Sequence, residues 1–127
     1  MKTLRSNNSK PKEKSKAWGH TTKIMETDSF ELHKIFVEKG GYCSIHRHAG
    51  KSNSFYILFG VLQLTEWGTG DVRKDRVLKT NELYTCKQGI KHQFRALSEV
   101  GALEIYHTCI NPDDIIRYSE GGLDEEN

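Results

Sequence analysis

The sequence predicts an all-β domain, a single antiparallel barrel or sandwich followed by one short C-terminal helix. Three observations point there. Short apolar segments recur between turn residues, several of them alternate apolar and polar side chains with a period of two, and no helical stretch is long enough for a parallel crossover. The expected strands are 22–26, 30–37, 42–48, 54–59, 61–66, 76–78, 83–86, 92–96 and 102–109. They are punctuated by Gly40-Gly41, residues 49–53, residues 68–71 and Gly89. In 102–109, Leu103, Ile105, His107 and Cys109 share one face and Glu104, Tyr106 and Thr108 the other; if the first face is the inward one, His107 points into the pocket. In 61–66, Leu62 and Leu64 oppose Gln63 and Thr65. The helix is expected over 112–118, with Asn111 as cap, Pro112 at its first position, Asp113 and Asp114 in its first turn and Arg117 near its end.

Composition narrows the function classes. The chain has 127 residues, 35% hydrophobic and 28% charged, which is the balance of one compact domain. No apolar run approaches the roughly 20 residues of a bilayer span, so no membrane is expected as a partner. The net charge of +2 is unevenly placed. Residues 1–17 hold six Lys/Arg and one Glu, and are read as a flexible basic arm; residues 119–127 are read as a flexible acidic tail, leaving 18–118 as the folded domain. Between the charged ends, residues 18–110 carry 12 Lys/Arg against 10 Asp/Glu, which is no basic stripe for nucleic acid. Cys43, Cys86 and Cys109 form an odd set without a Cys-x-x-Cys pair, so reduced thiols are expected. With no apolar leader segment at the N-terminus, the cytoplasm is the expected address.

The chemistry lies in the histidines at 20, 33, 46, 48, 92 and 107. In His46-Arg47-His48 a two-residue step along a strand returns both imidazoles to one face, where they can share a metal ion with a third ligand from elsewhere. Their frame is Gly40, five residues, His46, one residue, His48, four residues, Asn53, six residues, Gly60. About thirty residues later Gly89-Ile90-Lys91-His92 delivers another histidine from a glycine turn. Imidazole ligands suit zinc, iron, nickel or copper. A neutral amide at 53 leaves a divalent ion near its full charge, which favours anionic substrates.

This frame resembles the two motifs of the cupin superfamily, G-x5-H-x-H-x3,4-E-x6-G and G-x5-P-x-G-x2-H-x3-N. The first matches at every fixed position except Asn53, where the family has Glu. The second keeps only Gly89 and His92, with Asn81, Lys87 and Ala96 at the other fixed positions. The resemblance implies a cupin-type β-barrel, or jelly roll, with a divalent metal ion (zinc, iron, nickel or manganese) on His46, His48 and His92 and with Asn53 as a fourth ligand. It also implies a homodimer.

Residues 16–118 resemble more narrowly the cupin domain of type II mannose-6-phosphate isomerases. Lys16-Ala17-Trp18-Gly19 is similar to that family's Arg-Pro-Trp-Gly, the 30–37 segment to its F-x-V-K-R-I-x-V strand, and Asp113-Asp114-Ile115-Ile116-Arg117 to its D-D-I-V-R. The first histidine replaces a Gln, His33 replaces a lysine, and none of these 127 residues is expected to correspond to the family's nucleotidyltransferase domain. Aldose-ketose isomerisation of a sugar phosphate is the implied reaction. It needs a base near neutrality, for which His107 and His33 are the candidates, and cations for phosphate, for which Arg117 and Lys34 are chosen. Two other readings compete: a non-haem metal-dependent dioxygenase, favoured by three histidines without a carboxylate, and a non-catalytic sugar-binding cupin, favoured by the eroded second motif.

Overall fold

The computed structural model describes residues 10–108 and 116–124. Its strands are β1 (Glu13–Lys16), β2 (Gly19–Glu26), β3 (Phe30–Val37), β4 (Ser52–Phe59), β5 (Leu62–Trp67), β6 (Arg73–Leu78), β7 (Leu83–Cys86), β8 (Lys91–Ala96) and β9 (Val100–His107). They form two antiparallel sheets. One has six strands in the order β1-β2-β3-β9-β4-β7, and the other has three in the order β6-β5-β8. The sheets remain separate ladders, so the expected closed barrel is an antiparallel two-sheet arrangement. Among the described residues no helix is long and apolar enough to cross a membrane.

The core is built from alternate residues of both sheets. Ile35 and Val37 on β3, Phe55 and Ile57 on β4, Leu62 and Leu64 on β5, Phe94 and Ala96 on β8 and Ala102 on β9 are buried together. Trp18 packs edge-on against Phe94, with ring centroids 5.1 Å apart.

Several expectations need correction. The segment expected as a strand over 42–48 touches β8 only through isolated bridges, Tyr42 to Arg95 and His46 to His92. The basic arm expected to be flexible through residue 17 contributes β1, whose four residues are all exposed; it pairs with β2 through the backbone, which requires no apolar burial. For the C-terminal helix, residues 109–115 lie outside the described residues, as does Cys109, and Ile116, Arg117 and Tyr118 are not helical.

On β9 the face that carries His107 is not the inward one, so the condition for His107 to reach the pocket is not met. Ala102 and Glu104 are buried and Tyr106 follows them on the same side, facing the second sheet. Leu103, Ile105 and His107 are on the outer side, half-buried. Their neighbours there include Ser54, Cα partner of Ile105, and Tyr56, Cα partner of Leu103.

The turn from β4 to β5 depends on Gly60, whose φ is +92°. A Cβ at this position would lie 2.0 Å from the Glu99 carbonyl oxygen, a backbone atom that no rotamer change can move. Gly60→Ala is therefore expected to destabilise the protein by about 2 kcal/mol or more, from positive-φ strain plus displaced backbone. A urea titration with an unshifted midpoint would show that the turn relaxes freely.

Candidate metal centre

Three imidazoles converge where the 42–48 segment crosses β8. The His46 N–H donates to the His92 carbonyl at 3.1 Å and the His92 N–H donates to the His46 carbonyl at 2.8 Å, so the two backbones hold the rings side by side. The Gly89 N–H donates to the His48 carbonyl at 2.8 Å, fixing the second histidine of the pair. Gly89 itself has a φ of +85°, the conformation that turns the chain into β8. Ring centroids are 4.6 Å apart for His46 and His92, 5.0 Å for His46 and His48 and 5.6 Å for His48 and His92. One ligand nitrogen from each lies within 4.8 Å of the other two.

The tautomers suit a cation. His46 Nδ1 lies 2.8 Å from the Ser44 carbonyl, and His92 Nδ1 lies 3.0 Å from the Ile90 carbonyl. A carbonyl only accepts, so both Nδ1 atoms carry a proton, and in the neutral form of such a ring the lone pair is on Nε2. Among the described residues just two buried side-chain polar atoms have no partner, His48 Nε2 and Asn53 Oδ1. Buried polar atoms are normally satisfied, and these two belong to residues that both lie against His92, which fits a site that takes a cation. Burial first, then the neighbouring His46 and His92, pushes the His48 pKa down to about 4. Burial likewise lowers that of His92. Both are therefore neutral at pH 7, the form that ligates.

Asn53, 1% exposed on β4, lies against this cluster. Its Nδ2 is 3.4 Å from His92 Nε2 and donates to Glu104 Oε2 at 3.2 Å. The expectation of a site with no carboxylate to offset the ion's charge is thus corrected: Glu104, 8% exposed, stands one layer behind position 53. Tyr106, beside it on β9, packs edge-on against His48 with centroids 5.1 Å apart. Burial and then Glu104 push the Tyr106 phenol well above the usual range, so it remains a neutral O–H.

A cavity of about 220 Å³ opens beside His46, with Thr21, His33, Glu104, Tyr106 and Lys16 in its wall. His33 is set there by Glu31, whose Oε1 is 3.3 Å from Nε2, and by Thr21 Oγ1, 3.5 Å from Nδ1. Burial raises the Glu31 pKa, but His33 and Lys51 outweigh it and hold the carboxyl below its usual range. Lys51 Nζ is 3.4 Å from Glu31 Oε2 and 4.2 Å from the centre of the Tyr106 ring.

Of the residues expected at the site, His46, His48, His92, Asn53 and His33 are brought together. His107 is not. Its Nε2 bonds Ser54 Oγ at 2.8 Å on the outer face of the large sheet, one residue out of phase with Tyr106. Lys34 is exposed on that same outer face, near Phe36 and Phe59. Arg117 is exposed, outside any strand, and does not line the cavity. Glu104, Tyr106, Glu31 and Lys51 were not singled out from sequence. The signal for the first two was present in the alternation of β9, where they share a face, but the apolar residues of the opposite face drew the inward assignment.

No protein-family model matches the chain, and none of the curated proteins matches it in sequence. Solved structures share its fold. An oxalate decarboxylase from Bacillus subtilis superposes with a TM-score of 0.70 at 12% identity, over 76% of this chain and 27% of its own. The oxalate decarboxylase of Lactobacillus farciminis, in a formate complex, gives 0.71 at 17% identity, over 89% of this chain and 34% of its own. KdgF from Halomonas sp. gives 0.67 at 12% identity, over 76% of this chain and 86% of its own. The chain thus spans about a third or less of the decarboxylases it resembles. These neighbours are cupin-family proteins, and this chain shares their fold. Structural work on the Bacillus subtilis decarboxylase concerns Mn(II) centres. The three histidines here form a site consistent with a divalent metal ion, whose identity the imidazoles leave open.

His48→Ala is expected to remove most of the bound metal, since one of three strong ligands is lost, whereas His107→Ala is expected to leave the metal content unchanged. Elemental analysis of both variants checks the assignment; equal metal loss in the two would show that the outer-face histidine is coupled to the centre.

Proposed function

We propose that the protein is a metal-dependent cupin that takes a small, oxygen-rich anion in the cavity beside His46, and that the reaction is the aldose-ketose isomerisation of a sugar phosphate. The observation that carries the metal-dependent part is the convergence of three imidazoles, one of which, His46, also lines a cavity with hydrogen-bonding side chains, together with two buried polar atoms that have no partner. The choice of reaction rests on the resemblance of residues 16–118 to mannose-6-phosphate isomerases. When bound, the ion supplies Lewis-acid polarisation of a carbonyl oxygen.

The chain's own residues then divide the remaining work. His33 is the cavity-wall base: Glu31 holds its Nε2, which leaves Nδ1, 3.5 Å from Thr21 Oγ1, as the atom that takes a proton from one carbon and returns it to the next. The half-buried Tyr106 phenol gives its O–H to Glu104 and forms part of the cavity wall as a neutral group. Lys16 in the cavity wall and Lys51 over the Tyr106 ring take the phosphate role first given to Arg117 and Lys34. A dioxygenase reading is favoured by one specific feature, a ligand set of three histidines with no carboxylate in direct contact.

The experiment begins with elemental analysis of protein purified without chelator or immobilised nickel, followed by assay of mannose 6-phosphate and fructose 6-phosphate interconversion with the metal found. The expected result is about one ion per chain and turnover that is the same in air and under argon. His33→Gln is expected to lower kcat by about 10²-fold or more, the usual contribution of a positioned base. Oxygen-dependent loss of substrate would establish the dioxygenase instead, and saturable sugar-phosphate binding without turnover would establish a binding protein.

A further inference from the structure

Glu104 presents a problem that the metal centre resolves. It is a carboxylate with 8% of its surface exposed, and among the described residues no Lys, Arg or His side chain forms an ion pair with it. The groups facing it are the Asn53 amide, the Tyr106 phenol, the Cys43 thiol and His33, its Cα partner on β3. His33 is itself engaged with Glu31. A buried carboxylate without a cation is costly, and such groups persist where a positive charge comes to lie nearby.

Only the NH2 of Asn53 can donate to Glu104, so the 3.2 Å contact fixes which end of the amide faces the carboxylate, and the same Nδ2 lies 3.4 Å from His92 Nε2, which keeps the amide against the cluster. The other end, Oδ1, is buried and has no partner. A ligand whose far end is held by a carboxylate is the arrangement that orients and strengthens metal ligands in general.

We propose that Glu104 acts on the metal ion through Asn53: it holds the amide by its NH2, leaves Oδ1 as the fourth ligand atom, and supplies from one layer out the negative charge that a carboxylate at position 53 would supply directly. Glu104 is thus a positioning residue, and the Asn53–Glu104 pair does together what a single side chain could do alone. The inference rests on the metal-centre reading, and it has a consequence that this reading lacks. A carboxylate placed at 53 would be pressed against Glu104 in a buried contact, where like charges oppose each other.

The test is a double-mutant cycle on the full chain, with Zn(II) affinity measured by competition against a chromogenic chelator and coordination followed by the visible spectrum of the Co(II) form. Glu104→Gln is expected to weaken Zn(II) binding by about 10- to 100-fold. Asn53→Glu alone is expected to give no tightening. The double variant Asn53→Glu/Glu104→Gln is expected to return to within about threefold of the wild-type affinity and to restore a strong Co(II) spectrum, a rescue that loss of packing cannot produce. If Glu104→Gln does not fold, as judged by melting of the metal-free protein, Glu104→Asp carries the same expectation because its shorter side chain falls away from Nδ2. Affinity of the folded Glu104 variant within twofold of wild type, or equal tightening by Asn53→Glu in both backgrounds, overturns the proposal while leaving the metal centre intact. Failure of the wild-type protein to bind Zn(II) or Co(II) overturns both.

Discussion

The reciprocal backbone pair between His46 and His92 is the constraint on which the site depends. Those two hydrogen bonds attach an otherwise irregular segment to β8 and set two imidazoles in register without help from their side chains. Everything else is arranged about them. The two-residue step brings His48 back to the same side, the glycine turn before β8 sets where His92 falls, and the two sheets close over the cluster from opposite sides. Because the ligands are fixed by main-chain geometry, the side chains around them are free to be polar, and Asn53, Glu104 and Tyr106 occupy inner-face positions that farther along the same strands belong to Ile57 and Ala102.

The strand framework was largely readable because the chain marks its turns well. The limits of β3 and β7 match expectation at both ends, and the metal-binding histidines were legible because two of them lie within one short motif and the third follows a glycine turn. What escaped was a matter of facing. Apolar residues are expected inward, and on β9 Leu103 and Ile105 satisfy that pattern, yet they point outward because the opposite face of this strand gives Glu104 and Tyr106 to the cavity wall. His107 was carried to the wrong face with them. Glu104 was invisible as a partner of Asn53 because the two are 51 residues apart in sequence and meet only through the pairing of β4 with β9. Strand β1 was missed for a simpler reason: composition reports burial, and an edge strand held by backbone bonds buries little.

The site also shows how a small domain concentrates its unfavourable groups. Buried His92, Asn53 and Glu104 each give up hydration, and they lie together. Cys43 extends the same neighbourhood, its sulfur accepting the Phe94 N–H at 3.2 Å and its thiol pushed up to about 11 chiefly by burial. It stays protonated and is poorly suited to compete with imidazole for an ion. The apolar core beyond Phe55 and Phe94 has no such conflicts, so stability resides in one part of the inter-sheet space and chemistry in another.

The exposed first strand has a bearing on how copies of the chain meet. A six-stranded sheet offers two open flanks whose unpaired N–H and C=O groups would template growth into fibres. Among the described residues one flank ends in Glu-Lys-Ser-Lys and the other in a strand of only four residues. Lysines along a rim repel an incoming rim of the same kind, and a short rim gives little purchase. The fold thus carries its own safeguard against polymerisation by strand addition, placed at the N-terminal residues that looked least structured of all.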